Sequence, residues 1–199
     1  EREILAASDA IIAQEWDDVA NASAHWGEPD YSLHERIGAR PTLEINGISG
    51  GYTGDGFKTV LPGHAFAKIS CRLVPNQDPE RILQIVTDHI QELAPPTVTV
   101  DIRNASFGAP AIVLDRESSA VKSASAAYAY AWGKETMFGR AGGSVPITFK
   151  MAKVTDNITL MGFTYKGGSA HGPNENVIID MFHKGIAAAI HFLSHVDQN

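Results

Sequence analysis

The stretch that most constrains this chain runs from residue 64 to residue 103. Between His64 and Val74, Ala65, Ala67, Ile69, Cys71 and then Leu73 or Val74 alternate with Lys68, Ser70 and Arg72. Successive side chains of a strand point to opposite faces, so a period of two predicts a strand with one buried face. Residues 75–79 then turn the chain, and Asp78-Pro79 predicts a helix start. A carboxylate accepts from the free first-turn N–H groups, and proline suits the first helical position. Ile82, Leu83, Ile85, Val86, His89, Ile90 and Leu93 form the helical stripe. Pro95-Pro96 stops it, because proline lacks a donor and disfavours helix in the residue before it. Thr97 to Ile102 is β-branched and predicts a strand. With the alternating run Thr42–Ile48, residues 42–103 predict strand, strand, helix, strand: an α+β unit with a helix covering one sheet face. Its bare strand edge calls for another strand or a partner's edge, which points to dimerisation.

Composition narrows the rest. The chain has 199 residues, 44% hydrophobic and 20% charged, with a formal net charge of −7. These are values of an ordinary globular protein, and the negative charge argues against a nucleic-acid or anionic-membrane partner. The single cysteine, Cys71, excludes an internal disulfide framework and a cysteine-rich metal cluster, and its strand setting predicts a buried, inert thiol. No apolar run is long enough to span a bilayer and no signal peptide is evident, so the cytoplasm is the expected location. The first residue is Glu1, which leads us to expect a fragment or a processed chain.

Elsewhere, Ile4, Leu5, Ile11, Ile12, Trp16 and Val19 predict an amphipathic helix over 3–24, ended by Gly27 and Pro29, with a polar segment to Arg40. Residues 49–58 are a glycine-rich loop lacking the context of a phosphate-binding loop. Past a crossing linker at 107–111, an alanine-rich helix is predicted over 118–132, with short strands at 136–140 and 157–163. A short helix reaches Lys153, and a last helix runs from Val177 to about His195. Helices alternating with short strands predict an α/β layer there, distinct from the α+β unit before it.

Four places could carry chemistry. His171 stands on a glycine-rich turn, Gly167-Gly168-Ser169-Ala170-His171-Gly172-Pro173, followed by Glu175. It reads either as an exposed loop histidine or as an imidazole fixed on a rigid loop. Gly142-Gly143-Ser144 fails the serine-hydrolase elbow, since Pro146 stands where the second glycine belongs. It reads either as a plain cap after a tight turn or as a helix start whose free N–H groups and Ser144 hydroxyl bind a carboxylate or oxyanion. Arg72 is either a solvated strand arginine or a bidentate carboxylate clamp. Thr59 is either a turn hydroxyl or a ligand contact. His183, His191 and His195 on the last helix read as surface or packing residues, because no close ligand spacing supports a metal there and zinc takes three or four protein ligands.

Four segments in this order carry a resemblance: Gly56-Phe57-Lys58-Thr59-Val60-Leu61-Pro62, Arg72-Leu73-Val74-Pro75-Asn76-Gln77-Asp78-Pro79, Gly142-Gly143-Ser144-Val145-Pro146, and Ser169-Ala170-His171-Gly172-Pro173-Asn174-Glu175. From about Ile37 to His195 the chain resembles the C-terminal half of the dizinc metallopeptidases that include carnosinase, aminoacylase and succinyl-diaminopimelate desuccinylase. The carnosinase-like dipeptidase branch is the nearest match. The resemblance implies that residues 1–110 are the later part of an α+β lid and dimerisation domain, an antiparallel sheet with covering helices. Residues 111–199 then close an α/β zinc-peptidase catalytic domain. It further implies that His171 is a zinc ligand, one protein ligand to a site expected to hold two zinc ions. Arg72 holds the substrate's terminal carboxylate, Thr59 reaches substrate across a homodimer, and Gly143 and Ser144 form a substrate-binding turn.

The family's other zinc ligands, its bridging aspartate, its glutamate base and its lid histidine belong to an N-terminal half that these residues do not contain. The expected function is therefore the C-terminal part of a zinc-dependent dipeptidase or amidohydrolase, cleaving a small peptide or an N-acyl amino acid with metal-activated water, and inactive without its other half. The competing reading is a non-catalytic α+β dimerisation or small-molecule-binding module.

Overall fold

A computed structural model describes residues 2–20, 24–142, 145–170 and 172–196. Three short helices open the chain: α1 (Arg2–Ala6), α2 (Asp9–Ala20) and α3 (Leu33–Gly38). The single helix expected over 3–24 is thus broken. Ser8 turns the backbone, donating its Oγ to Leu5 O at 3.2 Å, while its N–H reaches the same carbonyl at 3.1 Å. A serine hydroxyl that bonds nearby backbone competes with helix continuation. The break places Ser8 Oγ 3.0 Å from Nδ1 of buried His34.

The segment read as merely polar contains α3, closed by a reciprocal cap. Ser32 Oγ accepts from Glu35 N at 3.3 Å, and the Glu35 carboxylate accepts from Ser32 N at 2.8 Å. Ser-x-x-Glu is the sequence signature of such a cap. Beside it Tyr31 lies under two guanidinium groups, Arg2 at 5.2 Å and Arg40 at 4.4 Å from the ring centroid.

Strands β1 (Thr42–Gly50) and β2 (Ala65–Arg72) pair antiparallel, from Thr42 opposite Arg72 to Gly50 opposite Ala65, with a bulge between Ile45 and Gly47. Helix α4 (Pro79–Leu93) follows, with the Asp78 carboxylate accepting from Arg81 N at 2.8 Å and Pro79 in its first turn, as the sequence predicts. This is an α+β unit, but its sheet has two strands among the described residues. Two expectations fail here. The β2 face expected to be buried is open, with Ile69 42% exposed, because a groove separates β2 from α4. Residues 97–102 form no ladder. Strand propensity is local, but a strand exists only by pairing.

The C-terminal part is built on α5 (Ser119–Trp132) and α7 (Ile179–His195), which pack together, with α6 (Pro146–Met151) between them in sequence. Small residues allow the close approach: Ala120, Ser123, Ala124 and Ala127 on α5, Gly185 and Ala188 on α7. Segment 157–163 lies across this pair. Asn157 Oδ1 accepts from Ala120 N at 2.8 Å, Tyr128 exchanges hydrogen bonds with Gly162, and Phe163 stacks on Trp132 at 6.1 Å. A Cβ on Gly185 would come within 2.8 Å of the Phe163 ring. Neither 157–163 nor 136–140 is ladder-paired, so the expected short strands are extended coverings of helices among the described residues. The last helix starts at Ile179, two residues later than predicted.

Candidate functional site

Arg72 ends β2, opposite Thr42. Its guanidinium is exposed and makes no ion pair or hydrogen bond among the described residues. Beside it lies a groove of about 720 Å³, walled by β2 and residues 99–109 and floored by the α4 side chains Ile82, Leu83, Val86 and Ile90. Gly142 and Pro146, which flank the Gly143-Ser144 turn, line the same groove as Arg72. Gly143 and Ser144 themselves lie outside the described residues.

What fixes the approach to that turn was not legible in the sequence. Residues 139–142 are laid against α3 with almost no clearance. A Cβ on Gly142 would sit 2.1 Å from Ile37 O, and one on Gly38 would sit 2.4 Å from Arg140 O. A Cβ on Gly139 would meet the His34 ring at 2.9 Å. Gly142 is required here by backbone packed against backbone. Past the turn, α6 begins at Pro146 without a side-chain cap, and Thr148 N and Oγ1 both donate to Val145 O, at 2.9 and 2.6 Å. With six residues, α6 is too short to be an anion site by its dipole alone.

Thr59 lies exposed in the connection between β1 and β2, away from the groove. That loop folds on Tyr52, whose hydroxyl donates to Asp55 O at 3.1 Å and whose ring lies 4.7 Å from Lys58 Nζ. The structure therefore gathers Arg72 with the flanks of the glycine turn and leaves Thr59 apart. Cys71, expected to be buried, is half-buried and lines the groove; desolvation, with a smaller push from the Glu44 charge, raises its thiol above the usual range.

His171 lies outside the described residues, but its loop is closed at both ends. Asn176 N donates to Gly168 O at 3.0 Å, Gly172 N donates to Ser169 O at 2.8 Å, and the Tyr165 hydroxyl donates to Asn176 Oδ1. Ser169 and Asn174 hold left-handed backbone, at φ 52° and 60°. The loop is thus framed by backbone bonds and is separated from α7 by residues 172–178. Among the described residues no three His, Cys, Asp or Glu side chains converge in a cage. A catalytic metal needs about three protein ligands, so these residues do not fit one by themselves. His191 and His195 do meet, stacked at 4.2 Å with Tyr130 4.6 Å from His191, as a packing cluster at the end of α7. Among the described residues no helix is long and apolar enough to cross a membrane.

The M20-type peptidase dimerisation domain matches residues 5–116. The Cys-Gly metallodipeptidase of Saccharomyces cerevisiae is 28% identical over 166 residues, 80% of this chain and 34% of the yeast protein. The mouse Beta-Ala-His dipeptidase is 43% identical over 51 residues, 26% of this chain and 10% of its own length. An M20 family metallo-carboxypeptidase from Sulfolobus solfataricus superposes with a TM-score of 0.80 at 28% identity, covering 98% of this chain and 44% of that one. Human carnosine dipeptidase 1 shares the fold, with a TM-score of 0.70 at 22% identity over 92% of this chain and 40% of its own. The chain spans roughly a third of the yeast relative it matches. It belongs to the M20 peptidase dimerisation-domain family, on the carnosinase-like dipeptidase side.

Proposed function

We propose that this chain works as the carboxylate-recognising and dimerising part of a metal-dependent dipeptidase, with residues 1–110 as lid and 111–199 closing the catalytic domain. The observation that carries it is the exposed Arg72 guanidinium, without an ion-pair partner among the described residues, in one groove with Gly142 and Pro146. A planar fork at the end of a paired strand suits a substrate carboxylate better than an ammonium does. Ser144 and the Gly143 backbone face the rest of a small peptide in this reading, and Thr59 on the long loop contacts substrate in the second copy of a homodimer. His171 contributes one ligand to a zinc centre whose other ligands come from polypeptide outside these residues. The names of the relatives favour a dipeptide over an N-acyl amino acid, and the cytoplasm is the proposed location.

In the intact peptidase, Arg72→Ala lowers kcat/KM for a dipeptide by the value of a charge-assisted hydrogen-bonded pair, about 2–3 kcal/mol, or roughly 30- to 150-fold. The same variant leaves kcat/KM for the C-terminally amidated dipeptide unchanged. Equal losses on acid and amide would remove Arg72 from carboxylate recognition. The 199-residue chain alone is predicted to hydrolyse neither; chelator-sensitive turnover by the purified chain would refute the divided site. The non-catalytic alternative predicts no turnover even in the longest polypeptide that contains it.

A further inference from the structure

Three histidines ride α7, and two of them meet. His183 and His191 are eight residues apart, too far along the helix to share an ion, and on that spacing a metal is not expected. His191 and His195 are four apart, on one helix face and about one turn from each other. Their rings stack, with centroids 4.2 Å apart and planes 18° from parallel. Two histidines at i and i+4 on one helix face are a spacing that binds zinc.

The surroundings prepare both rings for a cation. His195 Nδ1 lies 2.8 Å from His191 O. A carbonyl only accepts, so Nδ1 carries the proton and the lone pair of the neutral ring sits on Nε2. A carbonyl holding the far ring N–H is the outer-shell arrangement that fixes the tautomer of a metal-ligating histidine and raises its basicity. His191 Nδ1 is buried without a hydrogen-bond partner, so Nε2 is the nitrogen of that ring left for a ligand. Tyr130 of α5 lies against the same imidazole at 4.6 Å and 31°, which limits its rotation. The pair stands at the C-terminal end of α7, where unsatisfied carbonyls make the helix partly negative and favour a cation.

We propose that His191 and His195 bind one late first-row divalent cation, of the class of Zn²⁺, Ni²⁺ and Cu²⁺, through their two Nε2 atoms. Imidazole suits these ions, and Cu²⁺ is bound tightest among them by the Irving–Williams order. Metal–imidazole bonds of about 2.0–2.1 Å put two nitrogens on one ion about 3 Å apart. A small turn of each ring about its Cβ–Cγ bond, out of the stack, brings them there. Among the described residues no third His, Cys, Asp or Glu joins the pair, so water fills the remaining positions. The site is open and exchangeable, unlike the closed cage of a structural zinc, and it ties the last turn of α7 to the turn before it. It uses neither His171 nor Arg72, so it stands or falls apart from the peptidase reading.

The probes are the metals alone, titrated calorimetrically into the 199-residue chain after removal of bound ions with chelator. The imidazole nitrogens are followed by ¹⁵N NMR with Zn²⁺. The expected result is one ion held by the pair, Cu²⁺ tightest, with the Nε2 resonances of His191 and His195 shifting together. His191→Ala and His195→Ala should each lower affinity by about tenfold or more, since loss of even an outer-shell partner costs that much. His183→Ala should leave it unchanged. Combining His195→Leu with Leu193→His keeps the histidine count but sets the rings two residues apart, where side chains do not face each other. That chain should bind as weakly as the alanine variants, with the circular dichroism of the parent. Retained affinity in the transposed chain overturns the proposal. So does binding that survives both alanine variants and disappears with His171→Ala. The nitrogen shifts in the parent chain depend on no variant folding, and if neither nitrogen moves on titration the proposal is overturned as well.

Discussion

Gly142→Ala is the sharpest test of how the candidate turn is held. The added Cβ would lie 2.1 Å from Ile37 O, while real Cβ atoms keep at least 3.0 Å from such an atom, so something must move by about 1 Å. No side-chain rotation relieves it, because the obstacle is a backbone carbonyl at the end of α3. That helix is held by its capping box and by His34, buried against Leu5 and Ser8. Forcing extra atoms into a packed contact costs about 1–3 kcal/mol. For a chain of this length about 2 kcal/mol corresponds to a fall in Tm of about 4–8 °C. The control is Gly108→Ala, where a Cβ meets nothing within 4 Å, and which should be neutral or stabilising by up to about 1 kcal/mol through the unfolded chain. Thermal and urea unfolding of both variants decide the matter. Gly38→Ala opposes Arg140 O in the same seam, so one displacement of 139–142 relieves both clashes and the double variant loses less than the sum. A Gly142→Ala loss below about 0.5 kcal/mol, within ordinary surface scatter, or strict additivity with Gly38→Ala, would refute the reasoning.

Other outcomes follow from single contacts. Asp78→Ala removes the side-chain acceptor for Arg81 N and should cost about 0.5–2 kcal/mol by urea unfolding, with Asp78→Asn retaining most of it. Glu28 accepts two hydrogen bonds at 2.7 Å from Arg40, which hold its carboxyl below the ordinary value of 4.5. A depressed folded-state pKa contributes stability that is present above the unfolded value and lost as pH falls through the folded one. Arg40→Gln should therefore flatten the acid limb of the stability curve below about pH 4.5 and leave its shape above pH 6 unchanged; an unaltered acid limb would remove this pair from the linkage.

The parts of the fold legible in the sequence are those decided within a few residues. Helix α4 was readable because Asp78, Pro79 and Pro95 set both its ends, and α5 because its run of alanines favours helix; in the structure Ser118 accepts from Val121 N and Gly133 closes α5 in left-handed backbone at φ 67°. The capping box of α3, Ser32 with Glu35, is equally local. Helix α2 is different. Its separation from α1 depends on Ser8 finding His34, 26 residues away, which periodicity cannot show. The three unpaired strand-like runs fail for the same reason in reverse: strand propensity is local, but pairing belongs to whatever lies alongside.

The candidate site divides along the same line. Arg72 could be found because strand alternation sends it away from the apolar face. The packing of Gly142 against Ile37 could not, since it joins residues more than a hundred positions apart. The exposed apolar surface carries the argument one step further. On α7 the side that packs on α5 uses Gly185 and Ala188, while Ile179, Phe182, Ile186, Ile190 and Leu193 form a second apolar stripe, with Ile179 74% and Leu193 73% exposed. Helices that serve one buried face carry one such stripe; two stripes specify a helix covered on both sides. The groove between β2 and α4 likewise leaves Phe66 and Ile69 exposed, so both halves of the chain carry open apolar surface among the described residues. In the proposed peptidase the polypeptide that brings the catalytic residues absent from these segments also covers this open surface. Completion of the fold and completion of the site are then one event, and stability and turnover should appear together when the chain is joined to its remainder.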